Sequence, residues 1–287
     1  MVDANYFERY CELVIYDEAN GERSSVKGFR VVVSSKASLL KAPNTAEIEV
    51  YNLAPATRSK LQRGKLKVEL IGGYKANNGV VFAGTARDVN HELKGADWVT
   101  TLSVGDGEKA WRQAYVSLSF SKNTEVDTVV RALAEEFGKL GVSRGNLDYA
   151  LKTFERKDNF RKYASGYAII GSVASKLTDV CDTLGWDWSV QKNQLTFTYG
   201  QQGATSQIVK LSAETGLIGS PVHNNPEDSK KKPTISVKAL MNPLLYPGQM
   251  VALDSLAIKG TFRIQSCELE GDTHGGAWYS KLEVVSK

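Results

Sequence analysis

Histidine and cysteine are scarce, three of each in 287 residues. The cysteines, Cys11, Cys181 and Cys267, are widely spaced, odd in number and form no Cys-x-x-Cys pair. That excludes a disulfide framework and predicts buried thiols in a reducing compartment. His91, His223 and His274 are equally scattered, so a zinc site would have to gather distant residues. No run of eighteen apolar residues occurs, and no spanning helix is predicted. The first ten residues carry acids and no apolar core, which predicts no secretory leader and a chain made and folded in the cytoplasm. Also missing are the phosphate-cradling Walker loop, the glycine fingerprint of dinucleotide folds, the HExxH zinc helix and the GxSxG nucleophile elbow. A formal charge of +4 is too small to draw a chain of this length to nucleic acid or membrane.

Glycine, by contrast, is plentiful at 25 residues, as suits a turn-rich β protein. Residues 234–285 read as short strands broken by turns. Ile235, Val237 and Ala239 alternate, and Pro243 and Pro247 belong to a loop because proline cannot donate to a ladder. Gly248 supplies the positive φ of a type II turn. Phe262, Ile264 and Ser266 alternate against Arg263, Gln265 and Cys267, and Gly271, Gly275 and Gly276 form a wide hairpin loop with Asp272 and His274. Period two with turns after about five residues means antiparallel sheet.

The other end carries the same kind of element. Strands are expected at residues 10–16, 29–34, 45–53, 65–70, 80–85, 86–93 and 98–104, with a glycine turn at Gly72-Gly73-Tyr74. Ala46, Ile48 and Val50 share one face of a strand while Glu47, Glu49 and Tyr51 share the other. Pro55 opens a short helix. No strong internal repeat is evident in the letters.

The middle changes period. Val126, Val130, Leu133 and Phe137 predict a helix over 124–137, with Thr124 and Asp127 as a capping box. A second helix is predicted over 172–184, stopped by Gly185. Trp186, Trp188 and Val190 then face Leu195, Phe197 and Tyr199 across a Lys192-Asn193 turn, a hairpin whose ring-rich face packs on the helices. Residues 143–168 resist assignment, and 223–233 have almost nothing to bury.

Three kinds of chemistry are conceivable, each against a plainer role. Cys267, Asp272 and His274 flank one turn but do not complete a metal site. Cys181 lies on the apolar side of the second helix, where a thiol packs rather than reacts, and His223 is its only conceivable base. The acid pairs Asp17-Glu18, Glu135-Glu136 and Glu268/Glu270 invite comparison with glycoside hydrolysis; the last two sit roughly 7 Å apart on one strand face, a spacing common on wet edges. Arg156, Lys157, Arg161 and Lys162, interleaved with Phe154, Phe160 and Tyr163 and joined by Lys230, Lys231 and Lys232, can track a nucleic-acid backbone, but Glu155 and Asp158 interrupt the run. No catalytic, cofactor-binding or metal-ligating residue is assigned, and no enzyme is expected.

The segments 43–53, Gly73-Tyr74 and Phe82-Ala83-Gly84-Thr85 resemble the first domain of baseplate hub proteins from Mu-like contractile-tailed bacteriophages, a tail hub family related to the T4-type hub. Asn242-Pro243, Pro247-Gly248, Asp254-Ser255, Phe262-Arg263-Ile264 and 271–278 resemble their last domain. The resemblance implies a mainly β chain with an α+β insert: two small antiparallel, tail-tube-like β-barrel domains, residues 1–106 and 204–287, flanking a helix-hairpin domain at 107–203. It implies a structural virion protein, assembled in the host cytoplasm as a homotrimeric collar, that joins the sixfold tail tube to the threefold central spike and meets other baseplate proteins. Segments 43–53 and 80–93 are then the leading contact surfaces. A β-rich glycan- or nucleic-acid-binding module is the alternative if Trp186, Trp188 and Tyr199 are exposed; a cell-wall hydrolase using Glu268 and Glu270 is another.

Overall fold

The computed structural model describes residues 6, 8–62, 65–224 and 233–286. Arg9–Asp17 (β1), Arg23–Lys27 (β2), Val31–Ser38 (β3) and Thr45–Tyr51 (β4) lead to the short helix Pro55–Leu61 (α1). Leu66–Tyr74 (β5), Asn77–Lys94 (β6) and Asp97–Gly105 (β7) complete the first section. The central section holds Glu108–Gln113 (α2), Tyr115–Phe120 (β8), Val126–Gly138 (α3), Leu147–Thr153 (α4), Tyr167–Ser172 (β9), Val173–Leu184 (α5), Trp186–Gln191 (β10) and Gln194–Tyr199 (β11). The last section holds Ile208–Ser212 (β12), Leu217–Asn224 (β13), Thr234–Leu240 (β14), Met250–Asp254 (β15), Lys259–Asp272 (β16) and Trp278–Ser286 (β17).

Strands of both end sections form one thirteen-stranded, almost wholly antiparallel sheet, in the order β13-β14-β17-β16-β3-β4-β7-β6-β5-β1-β2, with β15 on β16 and β12 on β15. The join is β3 on β16, where Lys36 faces Glu268, Ser34 faces Glu270 and Val32 faces Asp272. Period-two alternation decides which side is dry. Ala46, Ile48 and Val50 of β4 are buried while Glu47 is exposed. Ile48, Leu102, Val237 and Leu282 all lie in one core, so residues from the two ends of the chain share their hydrophobic stabilisation.

A second core draws on residues between Ala110 and Phe197. In it Trp188 stacks on Trp111 at 4.7 Å, meets Phe137 edge-on at 5.7 Å and donates its indole N–H to Thr178 Oγ1 at 3.1 Å. Losing such a ring costs about 3–5 kcal/mol. The β10–β11 hairpin turns at Lys192 and Asn193, both at positive φ, as a two-residue primed turn requires. Gly145 is held at φ 51 with no room for a side chain, because a Cβ there would meet the carbonyl of Leu195.

Several local expectations are corrected. α3 begins at Val126 without a side-chain cap; Thr124 donates instead to the Ser121 carbonyl, and the Val126 amide is satisfied by the carbonyl of Arg161. Gly72 and Gly73 lie inside β5, paired with β6, and the chain turns after Tyr74. Residues 80–93 are not two strands but part of the single β6. The alternation of β16 breaks at a bulge between Ile264 and Ser266, so Phe262, Arg263 and Ile264 are all buried and Cys267 returns to the core side. β12 pairs with β15 in parallel, against the antiparallel expectation. In the unassigned stretch 143–168 lie α4, a 3-10 turn at Lys157–Asn159 and the start of β9. Of the expected loop at 223–233, His223 and Asn224 end β13; residues 225–232, including Lys230, Lys231 and Lys232, lie outside the described residues.

The strand order contains a repeat. In the first section the neighbours run β3-β4-β7-β6-β5-β1; in the last they run β13-β14-β17-β16-β15-β12, the same permutation of strands taken in chain order, with β2 as an addition. The registers agree: Ile48 faces Leu102 as Val237 faces Leu282, and Val50 faces Thr100 as Ala239 faces Ser280. Both long strands carry a bulge near the start of the second pairing, at Ala86/Asp88 and at Ile264/Ser266. Once the strands are superposed on these registers, Glu92 of β6 stands against Glu270 of β16, and Trp98, Leu102 and Val104 of β7 stand against Trp278, Leu282 and Val284 of β17. The bulge falls at the same rung of the two copies, beside the pair Ala86–Val104 in one and Ile264–Val284 in the other, which keeps each side chain on its face.

Candidate assembly surfaces

The face of the sheet opposite the core is polar and continuous across the β3–β16 join. Because paired residues project to the same side, rows of side chains can be followed from strand to strand. One row runs Lys238, Lys281, Glu268, Lys36, Thr45. The next runs Tyr279, Glu270, Ser34, Glu47, Ser103, Asp88. Ion pairs tie the rows together: Lys281 to Glu270 at 2.6 Å, Lys36 to Glu268 at 3.4 Å, Lys94 to Glu49 at 3.0 Å and Arg30 to Asp272 at 2.8 Å. Exposed pairs of this kind add about 0–1 kcal/mol each. Their consequence is a wet, charged face with no apolar stripe among the described residues.

A buried polar joint fixes the central section to this sheet. Asp106, directly after β7, accepts from the backbone amides of Lys192 and Asn193 at 2.7 Å each. Asn44, directly before β4, donates to Val190 O at 2.8 Å and Gln191 Oε1 at 3.0 Å, and accepts from the Ser38 amide. Gln191 donates onward to Ser38 O at 2.8 Å. Lys192 reaches the last section, donating to Pro243 O at 2.6 Å with its ammonium 4.7 Å from the centre of the Tyr246 ring. Burial pushes the Asp106 carboxyl up to about 6 against the pull of its amide donors, and pushes the Lys192 ammonium down to about 8. Sequence reading missed this joint. Its only visible signal is an Asp-Gly at a period change, followed much later by a Lys-Asn turn.

The residues weighed for chemistry are not brought together. Glu270 accepts from Lys281 and Tyr279, whose hydrogen bonds hold its carboxyl below the ordinary value; a glycosidase acid needs a shift in the opposite direction. Glu268 faces Lys36 and Lys281. Cys267 is buried with its thiol against Leu245 O and pushed up to about 12 by desolvation, whereas His274 lies on the exposed loop with its amide on Asp272 Oδ1. Asp272 is engaged by Arg30. Cys181 is fully buried on α5, its thiol pushed up by desolvation, and His223 lies on β13. Among the described residues no group of three or more His, Cys, Asp or Glu side chains could hold a metal ion.

The rings are packed as well. Trp186 and Trp188 are each 1% exposed, and Tyr199 stacks on Phe154, so the exposed-ring platform of the binding-module alternative does not form. Arg156 is spent on Asp127 at 2.7 Å and on Leu151 O, and Phe160 packs edge-on against Tyr163. Arg161 and Lys162 lie against the start of α3, where the Val126 amide donates to Arg161 O. No described helix is long and apolar enough to cross a membrane.

No family model and no curated protein sequence matches the chain. Solved structures do. A tail protein from Neisseria meningitidis MC58 superposes with a TM-score of 0.63 at 10% identity, over 96% of this chain and 97% of that one. The 43 kDa tail protein of prophage MuSo2 from Shewanella oneidensis gives 0.62 at 10% identity over the same shares. The E. coli c3393 protein, a type VI secretion component described as similar to the T4 tail proteins gp27 and gp5, gives 0.55 at 11% identity over 90% of this chain and 73% of that one. The chain therefore has the fold of phage tail proteins, including that of a Mu-like prophage, as the resemblance implied.

Proposed function

We propose that the chain is a hub subunit of a phage tail baseplate, or of a related contractile injection particle. It would join the tail tube on one face to the central spike on the other and contact further baseplate proteins. The observation that carries this reading is the repeated strand order. One chain brings two like half-sheets, so three chains supply six, and a threefold assembly can then meet a sixfold partner. In this reading residues 1–106 and 204–287 are the two tube-like, barrel-derived modules and residues 107–203 are the insert. The continuous polar face lines the central channel, where a charged, non-sticky wall suits passage, and the dry core gives the wall its stiffness. No side chain performs a reaction, and the protein belongs to the virion, assembled in the host cytoplasm. The type VI and Francisella PdpA-VgrG likenesses, the latter at TM-score 0.53 and 6% identity over 97% of this chain and 58% of that one, support a place beside a spike.

Native mass measurement with electron microscopy of the same sample tests the reading. A trimer seen as a ring with an open channel is the expected result. A monomer at every concentration, or release of sugar from cell wall that Glu270→Gln abolishes, would overturn it.

A further inference from the structure

The repeat leaves two sheet edges without a partner among the described residues. β3 of the first half pairs with the far part of β16, residues 266–272. The counterpart of β3 is β13, an end of the sheet bonded only to β14; the counterpart of that part of β16 is the outer part of β6, which pairs with β7 on one side only. Within one chain the two edges are not paired with each other and lie on either side of the β3–β16 join. From this we infer that β13 of one copy pairs antiparallel with residues 90–92 of β6 in the next copy, repeating the internal join. The inference rests on the hub reading for the number of copies but not for the pairing.

The register follows from equivalent rungs. Ser34, Ser35 and Lys36 of β3 face Glu47, Ala46 and Thr45; Val222, His223 and Asn224 of β13 face Ser236, Ile235 and Thr234, the matching residues of β14. On the other side, Glu270, Leu269 and Glu268 face Tyr279, Ser280 and Lys281, while Glu92, His91 and Asn90 face Val99, Thr100 and Thr101. Transfer of the internal join therefore sets Val222 opposite Glu92, His223 opposite His91 and Asn224 opposite Asn90. Such a contact is heterologous and builds a ring when its rotation closes. Val222 is 58% exposed and so is available to a neighbour. Both edges carry features that discourage indiscriminate pairing before assembly. β13 has Pro221 and a register shift between Ile218 and Val222, and β6 ends in Glu92 and Lys94.

Cysteine pairing tests this, because facing residues of an antiparallel pair lie about 4.5–5.5 Å apart at Cα, within disulfide reach. The double variant Val222→Cys with Glu92→Cys is oxidised mildly at the concentration where the parent assembles; the parent, with its own three cysteines, sets the background. The expected result is a ladder of covalent dimer and closed oligomer. Mixing the two single variants should give dimers, and neither single variant alone should. Disulfides formed by one single variant alone would show a twofold contact and overturn the pairing. A ring of parental mass that fails to cross-link would overturn the pairing while leaving the hub reading intact. A chain that stays monomeric would overturn both.

Discussion

The side chain of Asp106 accepts the backbone amide of Lys192 at 2.7 Å, so the end of β7 is fastened to the turn of the β10–β11 hairpin. The contact is buried, and burial is what decides its behaviour with pH. The carboxyl titrates at about 6 in the folded chain against an ordinary 3.8. Between those values the folded state holds the proton more tightly than the unfolded one, so this group's contribution is full below pH 4 and is lost as pH rises through about 6. Other carboxyls, Glu270 and Asp272 among them, are held low and pull the opposite way, so only a difference between variants is diagnostic. Urea unfolding of the parent and Asp106→Asn from pH 4 to pH 7 should show the parent losing stability relative to the variant across that window. Parallel curves would reject the assignment.

Lys192 gives the mirror-image prediction. Its ammonium falls to about 8 from 10.5 because desolvation outweighs the opposing pull of Cys267 and Asp106. A depressed folded value means that the contribution is present above pH 10.5 and is lost as pH falls through about 8. Lys192→Met removes the titration. Relative to that variant, the parent should gain stability as pH rises from 8 to 10.5, measured by the same denaturant method; a constant difference over that range would show that the ammonium is solvated.

Much of the fold was legible because its signals are local. Ala46, Ile48 and Val50 announce a half-buried strand, and Val126, Val130, Leu133 and Phe137 a helix, without any knowledge of their neighbours. The bulge in β16 was not legible: Ile264 and Cys267 share a face only because the partner strand β17 imposes an extra residue between them. The capping reading of Thr124 failed for a related reason, since the carbonyl that satisfies Val126 comes from Arg161, a contact no local pattern encodes. The internal duplication stayed hidden because the loop after β16 is longer than its counterpart after β6. Equivalent residues are thereby offset by 178 residues on one side of the loop, Glu92 to Glu270, and by 180 on the other, Trp98 to Trp278. The buried joint at Asp106 likewise depends on residues that are far apart in the chain.

Trp98 and Trp278 occupy the same place in the two halves and should answer substitution very differently. Trp278 is 2% exposed and donates its indole N–H to Gly73 O at 2.8 Å, reaching from the last section to β5 in the first. Trp278→Ala removes a buried ring and leaves that carbonyl unpaired, a loss of about 3–5 kcal/mol. Trp98 is 40% exposed on the β6–β7 arm with the Arg58 guanidinium 3.9 Å from its ring centre. Its replacement by alanine forfeits a cation–π contact and part of one face, about 1 kcal/mol. Equilibrium denaturation of the two variants beside the parent measures both. Equal costs would mean that the second half does not lean on the first through Trp278, and the shared core would have to be carried by the β3–β16 join alone.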